Sequence, residues 1–117
     1  MITGSSAALS ALNAFSEKLA LVAHNVANSA TEGFKKKRAV LQEDRNGGVS
    51  VSSQTIDAPG GLISRHQGDK VDLAETSNVD IGEEIVQMNV AERGHEANLK
   101  SLEVQNELLG TILDIVE

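Results

Sequence analysis

Glu92 and His95 are three positions apart, which is the spacing by which helices in di-metal proteins present two ligands from one face. A complete site of that kind requires a second Glu-x-x-His motif and further carboxylates, and no such motif accompanies His24. A zinc-protease motif would require His at the position of Leu99. We therefore expect no bound metal and no cofactor, and we interpret His95 as a polar residue on a packed helix face.

Other catalytic arrangements are missing from the sequence. The serines lack a matching arrangement of His and acid, and the glycines at 47–48 and 60–61 do not form a phosphate-binding loop. The chain has no Cys, which excludes a thiolate nucleophile, a thiol metal site and a disulfide framework. The sequence predicts that the protein is not an enzyme.

The charge balance limits the possible partners. A net charge of -7 argues against a nucleic-acid binder, because phosphate binding depends on Lys and Arg. Much of the acidity lies after residue 80, whereas residues 35–38 form a basic run, Lys-Lys-Lys-Arg. Such a run can form a nucleic-acid or anionic-lipid patch, but most such runs are solvated faces. Here it can also complement carboxylates of the C-terminal helix on a neighbouring copy.

Targeting signals are not evident in the sequence. The N-terminus has no basic run ahead of an apolar stretch, so we expect no cleaved secretory signal. No apolar window approaches the length of a transmembrane helix, so we expect no direct membrane insertion.

A heptad pattern predicts a helix over residues 5–29. Its apolar positions alternate in steps of four and three, which places them on one side of a helix. They are Ala8, Leu12, Phe15, Leu19, Val22 and Val26. Ala20, Ala23 and Ala27 flank this seam, and such small residues let another helix approach closely.

A second heptad pattern predicts a helix from Asp80 to the end of the chain. Asp80 is a suitable N-cap, and Glu83 completes an arrangement like a capping box. The predicted seam consists of Ile81, Ile85, Met88, Glu92, His95, Leu99, Leu102, Asn106, Leu109, Leu113 and Val116. Its polar residues, Glu92, His95 and Asn106, lower the stability of the helix pairing but favour one register or one partner.

The segment between the helices has a β pattern. Residues 36–56 predict a hairpin with a type I′ turn at Asn46-Gly47-Gly48, and residues 57–61 predict a second turn. Residues 62–79 are polar and predict a short strand and a loop, with a turn at Gly68-Asp69.

These elements predict a mainly α fold. The long N- and C-terminal helices form a coiled-coil-like antiparallel pair with a small β-hairpin region between them. We divide the chain into residues 1–34 (helix and elbow), 35–79 (β region) and 80–117 (helix), within a single structural unit. Phe15 and Phe34 are the only aromatic residues, so the core is marginal, and we expect the helices to find packing partners in neighbouring copies.

Two stretches resemble the signatures of one bacterial family. Residues 25–34, Asn-Val-Ala-Asn-Ser-Ala-Thr-Glu-Gly-Phe, are similar to the Asn-x-Ala-Asn-x-x-Thr-Pro-Gly-Phe stretch of flagellar axial proteins, the rod and hook group. The second signature of that group resembles residues 77–80 (Ser-Asn-Val-Asp), residues 83–88 (Glu-Glu-Ile-Val-Gln-Met), Arg93, residues 96–98 (Glu-Ala-Asn) and Leu108-Leu109. The two stretches occur in the expected order near the two termini.

The sequence departs from the family pattern at two points. Glu32 occupies the position of the usual Pro, which leaves the turn less rigidly set. Gly94 and His95 follow Arg93 in place of a common aromatic residue. Glycine in a helix interior costs up to about 1 kcal/mol relative to alanine.

The resemblance implies a structural subunit of the bacterial flagellar basal-body rod. It implies export through the flagellar type III export apparatus without signal cleavage, and polymerisation into the periplasmic drive shaft that transmits torque to the hook. The implied partners are copies of the chain and other rod proteins. Because residues 35–79 leave room only for a hairpin and loops, a short proximal rod subunit fits best. The alternatives are a hook or distal-rod member of the family and a small helical coiled-coil adaptor.

We expect the assembly contacts to involve the two seams and the two signatures, with Phe34 anchoring the elbow in a subunit contact. The expected contact residues are Leu12, Phe15, Leu19, Val22, Asn25, Val26, Asn28, Thr31, Gly33, Phe34, Asn78, Val79, Asp80, Ile85, Met88, Arg93, Asn98, Leu99, Leu102, Leu109 and Leu113.

Overall fold

Two long helices flank two β-hairpins in the chain, and the computed structural model describes residues 2–116, with side chains for residues 4–116. The elements in chain order are α1 (Ile2–Ala27), β1 (Lys37–Glu43), β2 (Val49–Thr55), β3 (Leu62–Gln67), β4 (Lys70–Glu75) and α2 (Ile81–Val116). The molecule is elongated, with principal extents of 85 × 25 × 16 Å. The prediction of a mainly helical chain with a central β region is therefore confirmed.

α1 buries the predicted seam. Ala8, Leu12 and Val22 are all less than a tenth exposed, because they lie on the side of the helix that faces α2. A second side of α1 lies against the first hairpin, β1–β2, where the Ser10 hydroxyl accepts a hydrogen bond from the Val49 amide at 3.0 Å. α1 is therefore covered on two sides.

α2 packs on α1 through a face that overlaps the predicted seam in part. The predicted seam residues Met88, His95 and Leu102 are half-buried. Glu84 and Ala91 are buried, whereas the predicted Ile85 and Leu99 are each 48 % exposed, so at these positions the prediction was wrong by one residue. The reason is chemical: Glu84, Ala91 and Asn98 are polar or small, and the prediction counted apolar residues.

Three contacts define how the helices meet. Ser5 of α1 donates a hydrogen bond to the side-chain oxygen of Gln105 at 2.9 Å. Phe15 packs over Gly94 in the middle of the pair. Asn25, near the end of α1, reaches Glu84 near the start of α2 at 3.1 Å.

Residues 106–116 of α2 form an overhang, in which every residue is exposed. Leu109 and Leu113, two members of the predicted seam, are 38 % and 68 % exposed. No described part of the chain covers them. The overhang thus leaves the C-terminal third of α2 without a packing partner in the described chain.

The turn of the first hairpin is not the predicted type I′ turn. The Gly47 amide donates to the Asp44 carbonyl at 2.9 Å, and Gly47 has a φ of 79°. Among the described residues no non-glycine has a positive φ, so Asn46 does not adopt the conformation that a type I′ turn requires. The turn is Asp44–Gly47, and the strands pair from Glu43↔Val49 to Lys37↔Thr55.

Residues 62–75 form a complete second hairpin, β3–β4, so the prediction of a short strand and a loop was wrong. Its strands pair from Leu62↔Glu75 to Gln67↔Lys70 around the predicted turn at Gly68-Asp69. All of β3 and most of β4 are exposed, and the hairpin packs against no other described helix or strand. A strand with both faces exposed lacks the alternation of apolar and polar residues by which half-buried strands are identified.

Candidate functional site

The two signatures meet at an elbow, which we define as residues 25–38 together with residues 75–84. Here α1 ends, the chain turns into β1, and the later chain returns from β4 into α2. The elbow joins segments that are about 50 residues apart in the sequence.

Asn25 is the most deeply buried large residue, at 1 % exposure. Its side-chain amide donates to the Lys37 carbonyl at 2.7 Å, and its side-chain oxygen accepts from the Lys37 amide at 2.9 Å. The same amide also donates to the Glu84 carboxylate at 3.1 Å. One side chain therefore connects α1, the start of β1 and α2.

Asn78 makes an equivalent set of bonds from the second signature. Its side-chain oxygen accepts from the Lys36 amide at 2.7 Å, and its side-chain amide donates to the carbonyls of Ile56 and Ala58 at 2.8 and 3.0 Å. Its backbone amide donates to Phe34 at 3.2 Å. Asn25 and Asn78 thus hold the consecutive residues Lys37 and Lys36.

The remaining residues of the first signature build the turn after α1. The Asn28 side-chain amide donates to the His24 carbonyl at 2.9 Å, and the Thr31 hydroxyl donates to the Asn28 side-chain oxygen at 3.1 Å. Gly33 has a φ of 69°, which confirms the predicted left-handed conformation. The Phe34 ring packs edge-on against His24, with ring centroids 5.5 Å apart.

The basic run pairs with carboxylates of its own chain. Lys36 and Arg38 both bind the Glu83 carboxylate, Lys36 at 2.7 Å. Lys35 binds Glu75 at 2.5 Å. The prediction placed the complementary carboxylates on a neighbouring copy, whereas these pairs form inside one molecule, with Glu83 of α2 and Glu75 of β4.

The start of α2 is capped by Asp80, as predicted. The Glu83 amide donates to the Asp80 carboxylate at 3.2 Å, which satisfies one free N–H of the first turn. In a capping box the Glu83 carboxylate would return to the Asp80 amide, but here Lys36 and Arg38 bind it instead. The capping-box prediction is thus half right.

Two carboxylates of the elbow are held in their charged form. The hydrogen bond from Lys36 lowers the pKa of Glu83 below its ordinary value, and the charges of Lys36 and Arg38 act in the same direction. For Glu75 the pKa is lowered chiefly by the hydrogen bond from Lys35, and next by that from the Gly60 amide.

The two departures from the family pattern have structural counterparts. Glu32, at the position of the usual Pro, binds Arg65 and so ties the second hairpin to the elbow. Gly94 leaves room for Phe15: a Cβ at this position would overlap the Phe15 ring. The aromatic ring over this part of α2 therefore comes from α1.

The expected contact residues fall into three groups in the structure. Asn25, Asn28, Thr31, Gly33, Phe34, Asn78, Val79 and Asp80 come together at the elbow. Leu12, Phe15, Leu19, Val22, Val26, Met88, Asn98 and Leu102 are buried or half-buried. Ile85, Arg93, Leu99, Leu109 and Leu113 are exposed and remain expected contacts with other molecules.

Sequence reasoning missed Glu75 and Glu84 at the elbow and Ala91 on the packed face of α2. None of the three belongs to an apolar pattern, although Glu84 and Ala91 lie seven positions apart and are both buried. That spacing, which places the two residues on one face of the helix, was the available signal.

The side chains of the elbow hold helices and strands in position. The part of the chain that the structure describes contains no group of three or more His, Cys, Asp or Glu side chains that could hold a metal ion. Within residues 2–116, neither helix is long and apolar enough to cross a membrane. What the site provides is a fixed angle between two helices and a hairpin.

Two family models match the chain. The model described as flagella basal body rod protein matches residues 6–35, and the model described as flagellar basal body rod FlgEFG protein C-terminal matches residues 73–115. Together they cover more than half of the chain, including most of the elbow and most of both helices. A comparison with curated proteins finds no match.

Proposed function

Because the chain belongs to the flagellar basal body rod family, we propose that it polymerises through its terminal helices as a subunit of the flagellar rod. Membership makes the chain a structural component of the flagellar basal body and implies assembly with other rod proteins. The proposal adds three properties of this chain: self-association, a role in the drive shaft, and export through the flagellar type III apparatus without signal cleavage.

The observation that carries the proposal is the overhang. Leu108, Leu109, Ile112, Leu113, Ile115 and Val116 are all exposed. On a helix these positions fall on one side, and the polar residues of the overhang fall on the other. An amphipathic helix end of this kind is covered by another helix when the chain assembles.

The elbow supports the drive-shaft role. A shaft transmits torque only if each subunit resists bending, and the bonds of Asn25 and Asn78 fix the angle between α1, β1 and α2. The order of contacts along the helices supports an antiparallel, coiled-coil-like pair. Load on one helix is then passed to the other along much of α1.

The middle of the chain supports a short proximal rod subunit. Between the helices there are only two hairpins, of which the second extends away from the helices. A hook or distal-rod member remains the alternative within the family, and a coiled-coil adaptor is the alternative outside it.

The proposal is tested by motility and by electron microscopy of basal bodies. Leu109→Asp/Leu113→Asp places two charges on the apolar side of the overhang and should abolish rod completion, hook formation and swimming. Gly110→Asp, which adds a charge on the polar side of the same segment where a side chain meets open space, is the matched control and should swim normally. Complete rods and hooks with the double variant would contradict the proposal.

Phe34 is tested separately. Phe34→Ala should impair rod assembly while the purified chain keeps its helicity, if Phe34 anchors the elbow in a subunit contact. Unimpaired assembly would overturn that role alone.

A further inference from the structure

One edge of β2 is free to pair with another strand. The Ile56 amide donates to the Lys36 carbonyl at 2.9 Å, so the even-numbered residues of β2 bond to β1 and the odd-numbered ones point away from it. At three of these outward positions the backbone amide and carbonyl have no hydrogen-bond partner among the described residues. These positions are Val51, Ser53 and Thr55.

A hollow between this edge and α1 has room for an added strand. It has a volume of about 370 Å³ and is lined by Val51 and Ser53 of β2 and by Glu17, Ala20 and Leu21 of α1. β2 contains no charged residue and no proline, which are features that keep exposed strand edges from pairing. The edge and the hollow together therefore fit an extended segment of another molecule.

β3 has a matching free edge. The Thr76 amide donates to the Gly61 carbonyl at 2.7 Å, so the odd-numbered residues of β3 bond to β4 and the even-numbered ones point away from it. The outward residues are Leu62, Ser64 and His66. Within one chain the hairpins form two separate two-stranded sheets, so no described strand of the same molecule pairs with this edge.

One face of the second hairpin is both apolar and exposed. The strand register places Leu62, Val71 and Leu73 on the same face, where they are 71 %, 62 % and 69 % exposed. On β2 the side chains of the outward positions lie on the face toward α1, where Val51 is half-buried. If β3 is added beside β2, the apolar face of the second hairpin continues the face that packs on α1.

We propose that in the assembled rod β3 of one subunit pairs antiparallel with β2 of the next copy of this chain. The two hairpins then form one four-stranded sheet across the subunit contact. In this register the opposed residues are Ser64 and Ser53, His66 and Val51, and Leu62 and Thr55.

The charges at the two edges favour this occupant. The proposed register brings His66 beside Glu17, which is exposed and forms no ion pair with residues 4–116. An imidazole N–H can donate to that carboxylate. The β4 edge fits less well, because β4 carries Asp72 and Glu75 and because the Gly33 amide already bonds the Glu75 carbonyl at 2.9 Å.

This pairing rests on the proposed rod function and identifies a contact between its subunits. The edges of β2 and β3 are different surfaces, so the contact is heterologous and repeats from copy to copy without closing. Three opposed pairs supply only about six hydrogen bonds. A two-stranded ladder is marginally stable alone, so the strands pair when helix packing has brought the subunits together and not between unassembled chains.

Disulfide cross-linking in isolated basal bodies tests the pairing, because the chain contains no cysteine of its own. Opposed residues of such a ladder have Cα atoms about 5.5 Å apart, which a disulfide can span. After oxidation Ser53→Cys/Ser64→Cys should give a series of linked multimers on a non-reducing gel. Ser52→Cys/Ser64→Cys is the matched control and should stay monomeric, since residue 52 lies on the opposite face of β2.

The direction of the added strand has its own test. Val51→Cys/His66→Cys should cross-link, and Val51→Cys/Leu62→Cys should not, because residues 62 and 66 lie toward opposite ends of β3. The reverse result would indicate a parallel strand and overturn the proposal.

Ser53→Pro tests the backbone hydrogen bonds themselves. Proline removes the outward N–H at this position, and proline is tolerated on an edge strand whose N–H faces solvent. The purified chain should therefore keep its helicity, while complete rods should be lost. Ser53→Ala keeps the N–H and should swim normally. Normal swimming of the proline variant would contradict the pairing.

The outcomes separate this inference from the rod function itself. Complete rods that contain this chain but show no cross-link between residues 53 and 64 would overturn the strand pairing and leave the rod proposal intact. Absence of the chain from purified basal bodies, measured by mass spectrometry, would overturn both.

Discussion

The side chain of Asn25 binds both the amide and the carbonyl of Lys37, at 2.9 and 2.7 Å, in the way that a neighbouring strand would. The third bond of that side chain goes to Glu84 on the other long helix. The N-terminal signature therefore fixes how the chain leaves α1, and the same residue fixes where α2 begins to pack. The elbow is a junction of three elements with Asn25 at its centre.

Asn25→Ala should destabilise the protein by about 2–3 kcal/mol, because it leaves the polar groups of Lys37 and Glu84 without partners in a poorly hydrated place. Urea unfolding followed by circular dichroism measures the change. Asn28→Ala is the control: it removes two exposed bonds, to the His24 carbonyl and from the Thr31 hydroxyl, and should cost less than Asn25→Ala because water replaces the lost partners. Equal losses for the two variants would contradict the central role of Asn25.

Gly94→Ala should destabilise the helix pair by about 1–3 kcal/mol, although alanine is the better helix former, because the new methyl group overlaps the Phe15 ring. Gly110→Ala is the matched control, since a Cβ there meets open space, and it should stabilise by up to about 1 kcal/mol. Thermal unfolding distinguishes the two. Phe15→Leu should relieve the Gly94→Ala variant, and a lack of relief would mean that the ring is not the obstacle.

Glu83 should make stability depend on acid pH. The pKa of Glu83 is lower in the folded chain than its ordinary value of 4.5, chiefly through Lys36. The stabilisation is therefore fully present above pH 4.5 and is lost as the pH falls through the folded-state pKa. Glu83→Gln should be less stable than wild type at pH 7 and should lose less stability on acidification.

Glu92→Gln is the control for this pH dependence, because Glu92 is exposed and forms no ion pair with the described residues. Its unfolding midpoint should follow that of the wild type at every pH. If Glu83→Gln followed the wild type equally well, the ion pairs of Glu83 with Lys36 and Arg38 would not stabilise the fold.

The second hairpin should exchange its backbone amides with solvent faster than the first. Two-stranded hairpins are marginally stable alone, and β3–β4 packs against no other described element, whereas β1 and β2 pack on α1. Hydrogen exchange followed by mass spectrometry measures this. Protection of β3–β4 equal to that of β1–β2 in the isolated chain would contradict the observed lack of contacts.

The sequence correctly predicted both helices, the strands of the first hairpin but not its turn type, the Asp80 cap and the turn at Gly33. These features depend on local spacing or on one residue type. The sequence located only part of the packed face of α2, because Glu84 and Asn98 also occupy that face and polar residues do not mark a buried face. It also did not identify the second hairpin, since no packed face imposes a pattern on it. The roles of Asn25 and Asn78 depend on contacts across the chain, which spacing does not contain.

Cryo-electron microscopy of basal bodies from the organism that makes this chain tests the central claim most directly. The density of the rod should contain the α1–α2 pair with its elbow, and the overhang at residues 106–116 should be packed on a helix of a neighbouring subunit. A rod that lacks this chain, or one in which the overhang projects into solvent, would contradict the account.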